Sequence, residues 1–213
     1  MTTRLLLITG LISMIFLSGE SAAQDEGPTP LYHAVPFHLI YDPLELAFEN
    51  WDDTNPPDTV KLDAFRIASG YLMGFVFHYE KSRDIIRVFE QVEVYSDQLE
   101  YLGYTMENSN YRFDYICMVP TSHWLSARSG KAFQGHGESG YEDDPRARRE
   151  ARNKALDDAI RAYVRDKYVR QGQPIPGVVD GRVKWFDINN ELRDPDSGSY
   201  IMDVTAWIEA RDE

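Results

Sequence analysis

The spacing of apolar residues in the first half of the chain predicts mainly helices. Apolar side chains recur every three or four positions from Val60 to Tyr79, which predicts an amphipathic helix over residues 59–79. A further helix is predicted over residues 82–102, although the alternation around Val88 also permits a strand there. Residues 111–119 place aromatic and apolar side chains at every second position, from Tyr111 to Val119, and are rich in aromatic and β-branched residues, which predicts a strand that ends at Pro120.

The second half shows a different order of patterns. Three strands are predicted here, over residues 131–141, 182–192 and 200–210, and apolar residues alternate most clearly in the last of them. Between the first two of these strands, residues 145–171 predict one long helix that ends at Gly172. Alanine recurs every fourth residue along this helix, which would let it lie close to a sheet: Ala147, Ala151, Ala155 and Ala159.

These patterns predict an α+β protein with two domains after the first 23 residues. Residues 24–128 are expected to form a helical N-terminal domain that contributes at least one strand. Residues 129–213 are expected to form a β-α-β-β layer, in which the long helix packs on an antiparallel sheet.

The first 23 residues are typical of a secretory signal peptide. Arg4 supplies a positive charge, residues 5–17 form an uncharged and mostly apolar run, and Ser21-Ala22-Ala23 offers small residues for cleavage before Gln24. The apolar run is short for a membrane crossing, and no apolar stretch near 20 residues follows it. The mature chain is therefore expected to be exported and to have no transmembrane span.

The charge is strongly negative but unevenly distributed. The formal net charge of −13 argues against nucleic acid as a partner, since phosphate binding requires a basic surface. Residues 146–170 contain nine basic and four acidic side chains, so this segment is +5 and the rest of the chain is −18. We expect the long helix to present its arginines to solvent, either simply as a solvated face or as a surface for an acidic partner. The predicted partner-binding residues are Arg148, Arg149, Arg152 and Arg165.

No catalytic, metal or cofactor motif of high specificity is present. Residues 135–140 match the spacing of a dinucleotide-binding glycine motif, but Glu142-Asp143-Asp144 would repel a pyrophosphate there, so glycines in a bent strand are the better interpretation. Cys117, the only cysteine, lies in an apolar stretch and is expected to be buried and inert. His33, His38 and Asp42 have a spacing that a metal could use, but no further ligand cluster accompanies them, and in a Cys117–His123 dyad Pro120 would lie between the two residues. Neither a cofactor nor a metal is predicted.

Residues 131–210 resemble a module of secreted bacterial envelope proteins. The similar segments are Gly135-His136-Gly137-Glu138, the helix sequence from Ala147 to Ile160 with its repeated small residues and arginines, and the alternating strand from Tyr200 to Ile208. The module is that of the N-terminal region of flagellar assembly protein T and of related small outer-membrane lipoproteins. This chain lacks the lipidated cysteine of the lipoproteins. The resemblance implies a non-catalytic role in envelope structure or assembly.

The sequence thus favours a binding or assembly module of the cell envelope over an enzyme. It is expected in the periplasm, or associated with the outer membrane, of a Gram-negative bacterium. Its expected partners are envelope proteins or further copies of itself. The alternative is a small periplasmic hydrolase with an unrecognised active site, using scattered carboxylates or His123.

Overall fold

The computed structural model describes residues 31–90, 97–140, 146–194 and 196–211. The predicted signal peptide lies outside these residues. In chain order, the elements are β1 (Tyr32–Tyr41), a 3-10 turn (Pro43–Leu46), α1 (Asp58–Met73), β2 (Phe75–Glu80), β3 (Ile85–Phe89), β4 (Leu99–Glu107), β5 (Asn110–Pro120), α2 (Thr121–Ala127), β6 (Ala132–Glu138), α3 (Ala147–Val164), a π-helical turn (Arg165–Val169), β7 (Val178–Arg193) and β8 (Tyr200–Ala210).

The strands form two antiparallel sheets. The smaller sheet has the order β1-β5-β4, and the larger has the order β3-β2-β7-β8-β6. The domain boundary predicted at residue 129 falls between α2 and β6. Across it, β2 pairs with β7 from Phe75↔Val183 to Glu80↔Val178, so strands from both halves of the chain share the larger sheet.

The predicted fold class is wrong, because the described part of the chain is mostly β and its N-terminal half is not helical. Where a helix was predicted over residues 59–79, α1 ends at Met73 and β2 follows. Where a helix was predicted over residues 82–102, the structure has β3 and the start of β4, while residues 91–96 lie outside the described residues. Strand β1 was not predicted at all.

Gly74 marks the point where α1 gives way to a strand. Its φ of 68° suits glycine, and its backbone N–H closes the helix by donating to the Gly70 carbonyl. A Cβ at this position would also overlap the carbonyl oxygen of Val183 in β7. The apolar residues after it fit a strand with a period of two, since Phe75, Phe77 and Tyr79 are buried on one face of β2.

The long helix α3 packs closely on β6 and β8. Its four regularly spaced alanines are all buried, as the sequence predicts: Ala147, Ala151, Ala155 and Ala159. The glycines at 135 and 137 lie within β6 and face the backbone of this helix, where added Cβ atoms would overlap the carbonyl oxygens of Ala155 and Ala151. These glycines therefore set the close approach of helix and sheet.

Helix α1 joins the two sheets through aromatic contacts. The Tyr71 ring stacks on Trp185 of β7, with ring centres 4.9 Å apart, and also on Phe186. The same ring meets Phe37 of β1 edge-on. The core thus runs without a break from the smaller sheet through α1 to the larger sheet.

Candidate partner-binding surface

The structure separates the four arginines that were predicted to bind a partner. The prediction that all four face solvent is wrong for Arg148 and Arg152, which are 1% and 0% exposed. Both side chains point inward because they continue the helix row of Leu156, Ile160 and Val164, each four residues from the next. Arg149 is half-buried and Arg165 is exposed, so these two remain available to a partner.

The buried arginines are held by carboxylates from distant parts of the chain. Arg148 donates from Nε and Nη2 to the two oxygens of Glu191 in β7, each at 2.6 Å. Arg152 forms an ion pair with Glu90 beyond β3. These contacts tie α3 to strand β7 and to the residue that follows β3, 43 and 62 residues away, so their primary role is structural.

A further acid, the buried Asp63 of α1, extends this network. Its carboxylate accepts from Tyr41 Oη at 2.7 Å and from Arg66 Nη1 at 2.9 Å. Burial alone would raise the pKa of Asp63, but the positive field of Arg148 and the hydrogen bond from Tyr41 hold this pKa below its ordinary value. Asp63 is therefore charged and balances the arginines of the network.

Arg165 borders a surface hollow that combines positive charge with an apolar floor. We call this the basic hollow: a cavity of about 550 Å³ between the end of α3, the π-helical turn and strand β6. Its basic side chains are Lys131, Arg165 and Arg170, and its only acid among the lining residues is Asp166. The floor includes Phe133, Ala132 and Ala162.

The local structure orients two of these basic groups around one carboxylate. Asp166 accepts from Lys131 Nζ at 2.6 Å and from Arg170 Nη1 at 2.9 Å. The Lys131 ammonium also lies 5.2 Å from the centre of the Phe133 ring. Arg165 is exposed and forms no ion pair with the described residues. Its guanidinium group can therefore donate hydrogen bonds to a carboxylate of another molecule. Sequence reasoning found Arg165 but missed Lys131 and Phe133, which are remote from it in sequence.

A second surface, acidic and partly apolar, lies next to Tyr200 at the start of strand β8. We call it the acidic knob, residues 42–58, which contain six acidic and no basic side chains. Phe48 is 100% exposed and Leu44 is 71% exposed on this segment. Among the described residues, Phe48 is the most exposed large apolar side chain.

The knob is fixed to the body of the protein through Glu45. The Tyr200 hydroxyl of β8 donates to Glu45 Oε2 at 2.9 Å, and Arg193 of β7 pairs with Asp42 at 2.9 Å. Burial raises the pKa of Glu45 to about 7, and the hydrogen bond from Tyr200 and the charge of Arg193 only partly oppose this rise. Glu45 is therefore partly protonated near neutral pH.

Replacing Glu45 with glutamine is expected to stabilise the protein more at pH 8 than at pH 5. The pKa of the Glu45 carboxyl is about 7 in the folded protein and about 4.5 in its ordinary state, so between these pH values the native state holds more protons and stability falls as pH rises through them. The neutral variant escapes this loss, which is up to about 3 kcal/mol for a shift of this size. Urea denaturation at both pH values measures it, with the exposed Glu209→Gln as control. A Glu45→Gln effect that is the same at both pH values would contradict the assignment.

The other residues considered for catalysis or metal binding are buried or held in contacts within the fold. Cys117 is fully buried in β5, and burial raises the pKa of its thiol to about 12, so no reactive thiolate forms there at neutral pH. His123 Nε2 donates to the Tyr71 carbonyl at 3.0 Å. His33 stacks on Trp124 at 3.9 Å between ring centres, and burial lowers the pKa of His38.

The described ranges hold no group of three or more histidine, cysteine, aspartate or glutamate side chains placed to bind a metal ion. Within the same ranges, no helix has both the length and the apolar character needed to cross a membrane.

Most of the two-sheet core lies within one recognised family region, which begins directly after strand β1. A protein-family model matches residues 42–212, and the chain belongs to the family that this model describes. This region includes both the acidic knob and the basic hollow. No curated protein matches the chain, and no solved structure matches it. The similarity of residues 131–210 to the flagellar module stays a prediction.

Proposed function

We propose that this protein is an exported, non-catalytic module of the bacterial envelope that binds acidic protein surfaces through its basic hollow. The observation that carries the proposal is the hollow itself. There, three basic side chains surround an apolar floor on a chain whose net charge is −13. Basic and apolar groups side by side suit a protein partner, because interfaces combine an apolar anchor with complementary charge at the rim.

The resemblance of residues 131–210 to the module of flagellar assembly protein T and of outer-membrane lipoproteins supports a place in envelope assembly. The predicted signal peptide supports the periplasm or the inner side of the outer membrane as its location. Arg149 lies in a separate hollow toward the start of α3, together with Arg146, Glu150 and Lys154. That hollow lacks an aromatic floor, so we assign the principal partner contact to Arg165.

Recovery of partners from an envelope extract tests this function. The tagged mature chain should capture envelope proteins at about 0.1 M salt and release them near 1 M, where exposed charges are screened within about 3 Å. An Arg165→Glu/Arg170→Glu variant should lose most of this capture. Arg87→Glu, an exposed charge reversal on β3, is the matched control and should behave like the parent protein.

Two results would overturn the proposal. One is equal capture by the parent protein and the Arg165→Glu/Arg170→Glu variant, with both folded by circular dichroism. The other is a full-length, uncleaved chain found in the cytoplasmic fraction of a Gram-negative host.

A further inference from the structure

The basic hollow and the acidic knob are complementary in charge and in the apolar groups that they present. The hollow offers positive side chains around the apolar Phe133 floor, and the knob offers a fully exposed phenylalanine among acids. A phenylalanine ring fits easily into a cavity of about 550 Å³. Each surface thus has what the other lacks, namely an apolar anchor for an apolar floor and carboxylates for ammonium and guanidinium groups.

The two surfaces lie at separate positions along strand β8. Glu45 holds the knob at Tyr200, the first residue of β8, whereas the hollow is lined by Thr205 and by Ala132, which pairs with Trp207. Five to seven strand residues separate these points, a distance of about 17–24 Å at 3.4 Å per residue. A rigid chain therefore cannot place its own knob in its own hollow.

We infer that the occupant of the basic hollow is the acidic knob of a second copy of this chain. The inference deepens the proposed function and rests on it. Phe48 of one copy enters the hollow of the next, and the exposed knob acids Asp52 and Asp53 face Lys131, Arg165 and Arg170. Because different surfaces meet at each contact, the association is head-to-tail and leaves one knob and one hollow free at the ends.

The contact depends on salt in a specific way. Copies with a net charge of −13 repel each other as whole molecules, while the knob and hollow attract locally. At about 0.1 M salt the repulsion between distant charges is screened beyond about 10 Å, and the charges in direct contact still interact. Association is expected to be strongest near this salt concentration and to weaken both well below and well above it.

Two singly defective variants separate this arrangement from other kinds of association. Phe48→Ser removes the knob anchor, and Arg165→Glu/Arg170→Glu reverses the charge of the hollow. Each variant alone is expected to sediment as a monomer, with its self-affinity weakened roughly tenfold or more. A mixture of the two contains one intact knob and one intact hollow, so it should form a one-to-one dimer and nothing larger. The parent protein should form a concentration-dependent series of longer species.

Analytical ultracentrifugation of the purified mature chain at about 0.1 M salt measures these species. Leu125→Ser, on the exposed face of α2, and Arg87→Glu are controls that should assemble like the parent protein. A parent protein that stays monomeric up to its solubility limit, or a mixture of the defective variants that yields only monomers, would overturn the inference. If the hollow variant still loses capture from envelope extracts in that case, the proposed function stands and a different acidic protein is the partner.

Discussion

Replacing Glu191 with glutamine is expected to lower the free energy of unfolding by about 3–5 kcal/mol. Arg148 is 1% exposed and gives both Nε and Nη2 to Glu191, so a neutral amide leaves a buried guanidinium charge without its carboxylate. Glu191 Oε1 also accepts the backbone N–H of Ile40 at 3.1 Å, which links β1 to β7. Urea denaturation near pH 7 measures the loss.

Two further variants define the origin of this effect. Glu150→Gln breaks the half-exposed pair with Lys154 on the same helix and should change stability by less than about 0.5 kcal/mol. The double replacement Arg148→Met/Glu191→Leu removes both charges and should recover part of the loss, because a buried pair can be replaced by apolar groups at little cost. The recovery is incomplete, since the Ile40 N–H loses its acceptor and the buried Asp63 loses the positive field of Arg148. A Glu191→Gln effect no larger than that of Glu150→Gln would show that the pair contributes nothing.

Alanine at Gly137 is expected to destabilise the protein by about 3 kcal/mol or more. The added Cβ would overlap the Ala151 carbonyl oxygen and the Ala155 backbone nitrogen, which are parts of the helix itself and cannot rotate away. Helix α3 must therefore move off the sheet and lose contacts along its alanine face. Gly135→Ala is expected to act in the same way through Ala155 and Ala159.

Gly140→Ala is the matched control for this experiment. It lies just beyond the same strand, and an added Cβ there meets no atom within 4 Å. Its effect on stability should be small, and slightly favourable if alanine reduces the freedom of the unfolded chain. Equal melting temperatures for the Gly137 and Gly140 variants would contradict the close approach of α3 and β6.

Helix α3 and strand β8 could be predicted from the sequence because a single spacing of small or apolar residues dominates each of them. Helix α3 has alanine at every fourth position, and β8 alternates without interruption from Tyr200 to Ala210. Both elements lie at the interface between α3 and the larger sheet, so each buries one face, and its buried residues recur at a regular spacing.

The N-terminal half could not be predicted correctly because its patterns are ambiguous. The apolar residues from Phe75 to Tyr79 fit a helix stripe as well as a strand, and in the structure the positive φ of Gly74 and the pairing of β2 with β7 favour the strand. Strand β1 contains Pro36, which argues against a central strand but is tolerated here, because β1 pairs with β5 at the edge of the smaller sheet.

The candidate site was predicted in part. Arg165 was recognised as an exposed basic residue of the helix, and its neighbours Lys131 and Phe133 join it only through the pairing of the sheet. The burial of Arg148 and Arg152 did leave a signal, since both fall in one row with Leu156 and Ile160. Their partners Glu191 and Glu90 left none, because contacts across 43 and 62 residues have no characteristic spacing.

The pairing of β2 with β7 determines when during folding the larger sheet can close. His78 of β2 bonds to Asp180 of β7 across 102 residues of chain, and joining such distant segments costs about 4 kcal/mol of chain entropy before any contact repays it. Folding dominated by such distant pairings is slow, on the order of milliseconds to seconds. Until β7 arrives, the β2–β3 hairpin presents an unpaired edge to the solvent, and incomplete or stalled chains are therefore the species most prone to aggregate.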